Sequence, residues 1–247
     1  MDLTYVYAVG DAAPPDLAGL TGIGGRPVHT VTGGDALWAA TGTVPESDFG
    51  ESALTARLED LTWLATTARE HHAVVDALGA RTVVAPLALA TVYRDDDRVR
   101  AVLTERHTAF AEVLDRLRGR TEWGVKAYAT PRPEGRDAGR ASSGAEYLRR
   151  RRRELDRVAG DDDAAHAAAQ RLHEAAARAA VTTRRHRLHA PALTGRTEPM
   201  VLNGAYLVDD ADRDTWRAAV TGAADGAGLT VEVTGPWVPY SFVEEER

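Results

Sequence analysis

The sequence predicts an α+β protein of two domains, an N-terminal α+β domain at residues 1–119 and a C-terminal domain at residues 120–247. Three observations lead to this prediction. Short runs rich in Val, Tyr and Thr, typical of strands, alternate with longer runs whose apolar residues recur every three or four positions, which is typical of helices. The second half follows the order β-α-β-β-α-β. Gly119 ends a helical stripe and no flexible linker follows it, so we place the boundary there.

The first half opens with strand patterns. Leu3–Val9 has an alternating pattern and is rich in Val and Tyr, as expected of a strand. The strand-like runs Arg26–Thr32 and Asp35–Thr43 are separated by Gly33 and Gly34. Because both glycines can adopt positive φ, this spacing predicts a β-hairpin.

Two long helices are predicted in the rest of the first half. Glu51–Leu78 carries an apolar stripe and ends at Gly79. Its stripe consists of Leu54, Leu58, Leu61, Ala65, Ala68, His72 and Val75. Asp95–Asp97 begins the second helix, since carboxylates suit a helix N-terminus. Between the helices, Arg81–Tyr93 resembles a buried strand that Pro86 interrupts.

The second half has a clearer order of elements. Residues 131–143 form a loop rich in Pro, Gly and charge, and Gly160 is a candidate break in the helix that follows. The predicted elements are a strand at 121–130, a helix at 144–180, strands at 181–189 and 200–208, a helix at 209–226 and a strand at 229–234. This order is the ferredoxin-like plan.

Composition excludes several classes of function. The net charge of −7 argues against a nucleic-acid partner, since phosphate binding needs a concentrated basic face. The chain has no cysteine, so it has no disulfide and no cysteine-based metal site. No apolar run reaches the ~20 residues of a membrane span, and the N-terminus enters a strand pattern directly. We therefore expect a soluble cytoplasmic protein that does not bind membranes.

Residues with catalytic potential do not form a recognisable motif. His72 lies on the apolar stripe of the first helix and is expected to be a core histidine with one hydrogen bond. The serines match neither GxSxG nor SxxK, and no HExxH is present. The sequence therefore predicts no catalytic residue, no cofactor site and no metal site.

A run of five arginines stands out in the long helix of the second half. It consists of Arg149, Arg150, Arg151, Arg152 and Arg153. Glu146 and Glu154 can each pair with Arg150 four residues away. The run therefore has two interpretations, an ion-paired solvated helix face or a docking surface for an acidic protein.

The stretch GPWVPYSF at residues 235–242 holds three of the 15 aromatic residues of the chain, Trp237, Tyr240 and Phe242. Its two prolines remove backbone donors and favour an extended conformation. Burial of one large aromatic side chain contributes about 1.5–3 kcal/mol. We expect the stretch to be an interdomain strap that touches the first domain, with partner docking as the alternative.

Five segments in order resemble the gas vesicle protein F/L family (GvpF/GvpL). They are EDLTWLATTAREHHAVVDAL (59–78), TVVAPLALATVYRDDDRVRAVLTERHTAF (82–110), EWGVKAYA (122–129), NGAYLVD (203–209) and GPWVPYSFV (235–243). The resemblance implies a fold whose C-terminal domain is a modified ferredoxin-like fold with an extra helix. It also implies a non-enzymatic accessory or minor structural protein of gas vesicle formation, in the cytoplasm and at the vesicle. The implied partners are the main shell protein and other accessory proteins.

Two other hypotheses remain open at this point. One is a ferredoxin-like small-molecule-binding protein or a metal-dependent enzyme or sensor, with His72 or His107 in a cleft. The other is a structural module that only self-associates. A stoichiometric metal or chromophore in the purified protein would favour the first, and light scattering across a concentration series would detect the second.

Overall fold

A computed structural model describes residues 2–33, 36–130, 144–190 and 195–243. Its elements form two antiparallel sheets with helices packed against them, which confirms a mixed α and β architecture. Contacts divide the chain into two compact units. The first unit contains residues 1–122 and 236–247, and the second contains residues 123–235. The C-terminal stretch therefore belongs to the first unit, whereas the sequence-based domain bounds assign it to the second half.

The first unit is built on a sheet with strand order β2-β3-β1-β4, and β5 also pairs with β1. The strands are β1 (Asp2–Gly10), β2 (Val28–Gly33), β3 (Leu37–Pro45), β4 (Ala85–Pro86) and β5 (Val92–Tyr93). The antiparallel β2–β3 pair closes with Gly33 opposite Leu37, which confirms the predicted hairpin. In the β1–β3 pair the register shifts between Val6 and Ala8, as expected at a β-bulge.

The helices of the first unit are shorter than the sequence predicts. They are α1 (Glu46–Phe49), α2 (Glu51–Glu59), α3 (Leu61–Gly79), α4 (Asp96–Glu105) and α5 (His107–Leu117). The predicted helix over 51–78 breaks at Asp60, whose carboxylate accepts hydrogen bonds from the backbone N–H groups of Thr62 and Trp63. This is an N-cap, so a new helix begins there.

The break at Asp60 changes the phase of the buried stripe. In α3 the buried residues are Thr67, His71, Val74, Val75 and Leu78. Leu58 and Leu61 lie on either side of the break and are exposed. The prediction of a core histidine at position 72 was wrong by one residue, because His71 is buried and His72 is exposed.

The predicted strand over 81–93 is also interrupted. Only Ala85–Pro86 and Val92–Tyr93 pair with β1, and Ala90 between them has φ +64°. A proline cannot donate to a strand ladder, and a non-glycine residue at positive φ leaves the extended region. The chain therefore touches the sheet twice instead of forming one long strand.

The core of the first unit lies between its sheet and α3. It combines aromatic side chains from β1 and β3 with aliphatic side chains from α3. Its buried members are Tyr5, Tyr7, Ala8, Leu17, Ile23, Val28, Trp38, Ala40, Val44, Phe49, Val74, Val75, Leu78 and Val84. Val238 and Tyr240 from the C-terminal stretch pack against this cluster.

The second unit is built on a four-stranded sheet with strand order β7-β8-β6-β9. Its elements in chain order are β6 (Arg120–Ala129), α6 (Gly144–Arg178), β7 (Thr182–Arg185), β8 (Met200–Asp209), α7 (Arg213–Ala224) and β9 (Leu229–Trp237). The strands β7 and β8 pair antiparallel, with Thr182 opposite Leu207. The strand β8 is the centre of this unit, since Met200 to Val208 are all buried.

The core of the second unit is formed by the sheet, the C-terminal half of α6 and α7. Trp216 on α7 is fully buried, and its indole N–H donates to the carbonyl of Ala176 over 3.1 Å. Its ring lies 5.5 Å from that of Trp123 and 5.7 Å from that of Tyr206 between ring centroids. These contacts attach both helices to the sheet. The helix α6 continues through Gly160, so the predicted break there is wrong.

Candidate functional site

Two histidines of α3 lie beside the aromatic side chains of the first unit. The Nδ1 atom of His71 lies 2.9 Å from the hydroxyl of Tyr5. The backbone N–H of Ala90 donates to the same hydroxyl over 3.0 Å. Because that hydroxyl already accepts from Ala90, its own hydrogen is available to His71, and the proton of the neutral imidazole then sits on Nε2.

Burial determines the protonation of three side chains in this cluster, His71, Tyr5 and Tyr240. Desolvation, with a smaller effect of neighbouring His72, lowers the pKa of His71 from 6.5 to about 4. Desolvation also raises the pKa of Tyr5 and of Tyr240. These side chains are therefore neutral near neutral pH, and their rings act by packing and hydrogen bonding.

The C-terminal segment, defined as residues 236–243, packs on this cluster. The ring of Tyr240 lies 4.7 Å from that of His72 and 6.0 Å from that of His71, between centroids. Val238 lies so close to Gly79 that a Cβ atom at position 79 would be 2.3 Å from Val238 Cγ2. A side chain at position 79 would therefore displace the segment.

A carboxylate fixes the end of the C-terminal segment. Glu122 accepts a hydrogen bond from the backbone N–H of Ser241 over 2.8 Å and another from its hydroxyl over 2.6 Å. Hydrogen bonds to an ionised carboxylate are shorter and stronger than neutral ones. Phe242, the next residue, is buried, whereas Trp237 is half-exposed.

The cluster contains two buried polar atoms that no described residue satisfies, Nε2 of His71 and the hydroxyl of Tyr240. Both belong to the contact between α3 and the C-terminal segment. His107, the other histidine considered for catalysis, is the first residue of α5 and is half-buried. Within the described ranges, no group of three His, Cys, Asp or Glu residues is arranged to hold a metal ion.

A second surface of interest is the strand β9. Among the described residues it lies at the edge of its sheet and pairs with β6 only. Val233 and Trp237 are 40% and 49% exposed, although both are large and apolar. Gly235 between them has φ +120°, so strand alternation does not place the two side chains on a common face. An edge strand with exposed apolar side chains is able to pair with another chain.

The arginine run lies in the N-terminal half of α6. Every side chain that the structure describes between residues 144 and 160 is exposed, including Arg149, Arg151 and Arg152. The side chains of Arg150 and Arg153 lie outside the described ones. Leu148 and Leu155 are also exposed, so this half of the helix carries both charge and apolar surface.

Comparison with known proteins identifies the family. The family model "Gas vesicle synthesis protein GvpL/GvpF" matches residues 3–244. The chain belongs to this family. The resemblance found in the sequence is thereby confirmed, and membership in the GvpL/GvpF family links the chain to gas vesicle formation. The family is one of gas vesicle structural and accessory proteins and is not a known enzyme family.

Full-length relatives support the same assignment. Gas vesicle protein L from Streptomyces sp. (strain CB03234) is 46% identical over 249 residues, covering 97% of this chain and 92% of that protein. Gas vesicle protein F from the same strain is 30% identical over 258 residues, covering 98% of this chain and 99% of that protein. The similarity to both proteins therefore extends over nearly the whole chain.

Solved structures show a similar fold at low sequence identity. The crystal structure of the gas vesicle protein GvpF from Anabaena sp. PCC7120 matches with a TM-score of 0.71 at 16% identity, covering 100% of this chain and 98% of that chain. GvpF from Microcystis aeruginosa matches with a TM-score of 0.67 at 17% identity, covering 98% of this chain and 99% of that chain. Among the described residues, no helix is long and apolar enough to cross a membrane.

Sequence reasoning missed His71 and Val233 as residues of interest. His71 had a signal in the sequence. Asp60 is a favourable N-cap residue, and a helix that begins directly after it has His71 on its buried face. Val233 lies in the last predicted strand, but only the strand order shows that this strand is at an edge.

Proposed function

We propose that this chain is a non-enzymatic accessory or minor structural protein of gas vesicle formation, and that it binds the main shell protein and other accessory proteins during assembly. The observation that carries the proposal is the family match over residues 3–244. On this proposal the chain works in the cytoplasm and at the growing vesicle. The buried side chains around His71 pack and hydrogen-bond within the first unit, so they hold that unit together.

We also propose that the second unit is a modified ferredoxin-like domain. Its elements follow the order β6-α6-β7-β8-α7-β9, which corresponds to the β-α-β-β-α-β plan. The strand order β7-β8-β6-β9 supports the same plan, since its two central strands are the first and third strands of the unit. The 35-residue helix α6 departs from a minimal version of the plan by extending well beyond the sheet core.

The shell-binding surface that we propose is the edge of β9. A shell protein that polymerises through apolar surfaces needs partners that cover those surfaces before assembly. An edge strand offers backbone donors and acceptors for strand addition, and Val233 and Trp237 offer apolar contact beside them. Pro236 removes one backbone donor, so a paired client strand ends near Trp237.

A pull-down of purified shell protein tests this surface. We expect capture by the wild-type chain, and a strong loss of capture by Trp237→Ala and by Val233→Lys, since a lysine on an edge strand opposes strand addition. Val181→Lys is the matched control, because Val181 is 44% exposed and precedes β7 at the other edge. Capture that is equal for all variants would exclude the β9 edge. No capture of the shell protein or of any accessory protein by the folded wild-type chain would exclude the function.

A further inference from the structure

We infer that this protein self-associates head to tail through two helical surfaces of opposite charge. The basic surface consists of Leu148, Leu155 and the exposed arginines 149, 151 and 152 on α6. The acidic surface consists of Glu51, Leu58, Glu59, Asp60 and Leu61 around the junction of α2 and α3. The basic surface of one copy binds the acidic surface of a second copy. The inference goes beyond the proposed function and does not use the β9 edge.

The basic surface has the features of a helix that packs against another helix. Leu148 and Leu155 are 67% and 54% exposed. They are seven residues apart, which is nearly two helical turns, so they lie on one face about 10.5 Å apart along the axis. This spacing matches one position of the heptad repeat by which helices pair.

The basic surface does not contribute to the core of its own unit. The buried residues of α6 begin at Ala165 and continue through Ala168, Ala169, Leu172 and Ala176. None of the described side chains between residues 144 and 163 is buried, so these side chains take no part in that core.

The acidic surface is the only other helical surface of the described residues with exposed leucines. Leu58 and Leu61 are 43% and 77% exposed. None of the residues of α2, all of which the structure describes, is buried. The one arginine of this helix, Arg57, already forms an ion pair with Asp48, with 2.6 Å between Nη2 and Oδ1. The exposed charge beside the two leucines is therefore carried by carboxylates.

The two surfaces are complementary in charge. Residues 46–61 contain five carboxylates against one arginine, a net charge of −4. In the sequence, residues 144–155 contain five arginines against two glutamates, a net charge of +3, and the structure describes three of these arginines as exposed. Contact between like surfaces of two copies would bring equal charges together, whereas contact between unlike surfaces pairs them. Charge therefore favours a heterologous contact, which extends into rings or open chains.

A second copy fits the basic surface better than a lipid membrane does. Membrane-surface helices carry a broad apolar face with aromatic anchors. The exposed half of α6 shows two leucines in its described side chains, and Asp161, Asp162 and Asp163 follow it directly. Three successive carboxylates would be repelled by an anionic bilayer. A protein surface with its own leucines and carboxylates has no such conflict.

Sedimentation velocity of the purified full-length chain across a concentration series tests the inference. We expect the wild type to associate reversibly as concentration rises, and high salt to weaken the association, because salt screens exposed charges. Leu148→Glu/Leu155→Glu removes the basic surface, and Leu58→Lys/Leu61→Lys removes the acidic one. Each double variant alone should associate at least about tenfold more weakly than the wild type. Circular dichroism establishes that each variant is folded, and Leu188→Glu, at an exposed leucine that belongs to neither surface, is the control.

Mixing the two double variants gives the sharpest result. Each variant keeps one intact surface, and the two intact surfaces are complementary, so the mixture should form a dimer with one copy of each and no larger species. A mixture that stays monomeric would overturn the head-to-tail contact. A wild type that stays monomeric at every concentration, with or without binding to anionic vesicles, would overturn self-association. Association that both double variants retain would overturn the assignment of the surfaces.

Discussion

Tyr5 and His71 form a buried hydrogen bond in the first unit, with 2.9 Å between Tyr5 Oη and His71 Nδ1. This bond joins the first strand of the sheet to α3, and Tyr240 of the C-terminal segment packs against the same imidazole. The N-terminal strand, the longest helix of the unit and the C-terminal segment therefore meet at one histidine.

The first prediction concerns the dependence of stability on pH. Burial lowers the pKa of His71 to about 4 in the folded chain, while the unfolded chain has the ordinary value of 6.5. Between these values the unfolded state binds the proton and the folded state does not. The contribution of His71 to stability is therefore fully present above pH 6.5 and decreases as pH falls towards 4. For one proton taken up on unfolding, the free energy of unfolding changes by at most about 1.4 kcal/mol per pH unit.

Denaturant unfolding at a series of pH values measures this slope. His71→Gln is the matched variant, because glutamine does not titrate and still offers a hydrogen-bond acceptor to Tyr5. We expect the slope between pH 6.5 and 4 to be smaller in the variant than in the wild type. Equal slopes in the two proteins would show that His71 is not the group responsible.

The second prediction separates the ring of Tyr240 from its hydroxyl. Tyr240→Ala should destabilise the chain by about 2–4 kcal/mol, since it removes a large aromatic side chain that packs on the core of the first unit. Tyr240→Phe should be close to neutral, because the hydroxyl has no hydrogen-bond partner among the described residues. Thermal and denaturant unfolding measure both values. A large loss in Tyr240→Phe would mean that the hydroxyl makes a bond.

The third prediction concerns the attachment of the C-terminal segment. Glu122→Gln should cost about 1–2 kcal/mol, since an amide cannot accept both hydrogen bonds from Ser241 as the carboxylate does. Ser241→Ala removes only the hydroxyl bond and should cost less. Limited proteolysis after Phe242 should be faster in Glu122→Gln than in the wild type. If cleavage is equally slow in both, Glu122 is not what fixes the segment.

The fourth prediction concerns the core of the second unit. Trp216→Ala should destabilise that unit by about 3–5 kcal/mol, because it empties a fully buried aromatic site between α7, α6 and the sheet. Trp216→Phe keeps a ring but loses the bond to the carbonyl of Ala176, so it should have an intermediate effect. Tryptophan fluorescence and circular dichroism during unfolding follow both variants. Equal stability of Trp216→Ala and the wild type would contradict the assigned core.

Much of the fold is encoded in local patterns. The hairpin of β2 and β3 follows from two successive glycines, and β8 follows from an uninterrupted apolar run. Helix breaks were harder to predict. The apolar spacing continues across Asp60 as though one helix crossed it, and only the cap interactions of Asp60 show that two helices meet there. The separate start of α3 shifts the buried face by one residue, so the buried histidine is His71 and not the predicted His72.

The candidate sites depend on contacts between distant parts of the chain, and local patterns do not contain these. The sequence predicted that the aromatic C-terminal stretch touches the first domain, but not that Tyr240 lies beside His71 and His72. Likewise, the arginine run was visible in the sequence, whereas the exposure of Leu148 and Leu155 beside it required the structure. The function itself came from the ordered segments that resemble a family, since no catalytic motif indicated one.

Deletion of the gene for this chain in a vesicle-forming host tests the central claim most directly. Electron microscopy counts the vesicles in the deletion strain and in strains complemented with the wild-type chain or with Trp237→Ala. The proposed function predicts few or no vesicles in the deletion strain, restoration by the wild type, and weaker restoration by Trp237→Ala. Vesicles of normal number and shape in the deletion strain would contradict a role in gas vesicle formation.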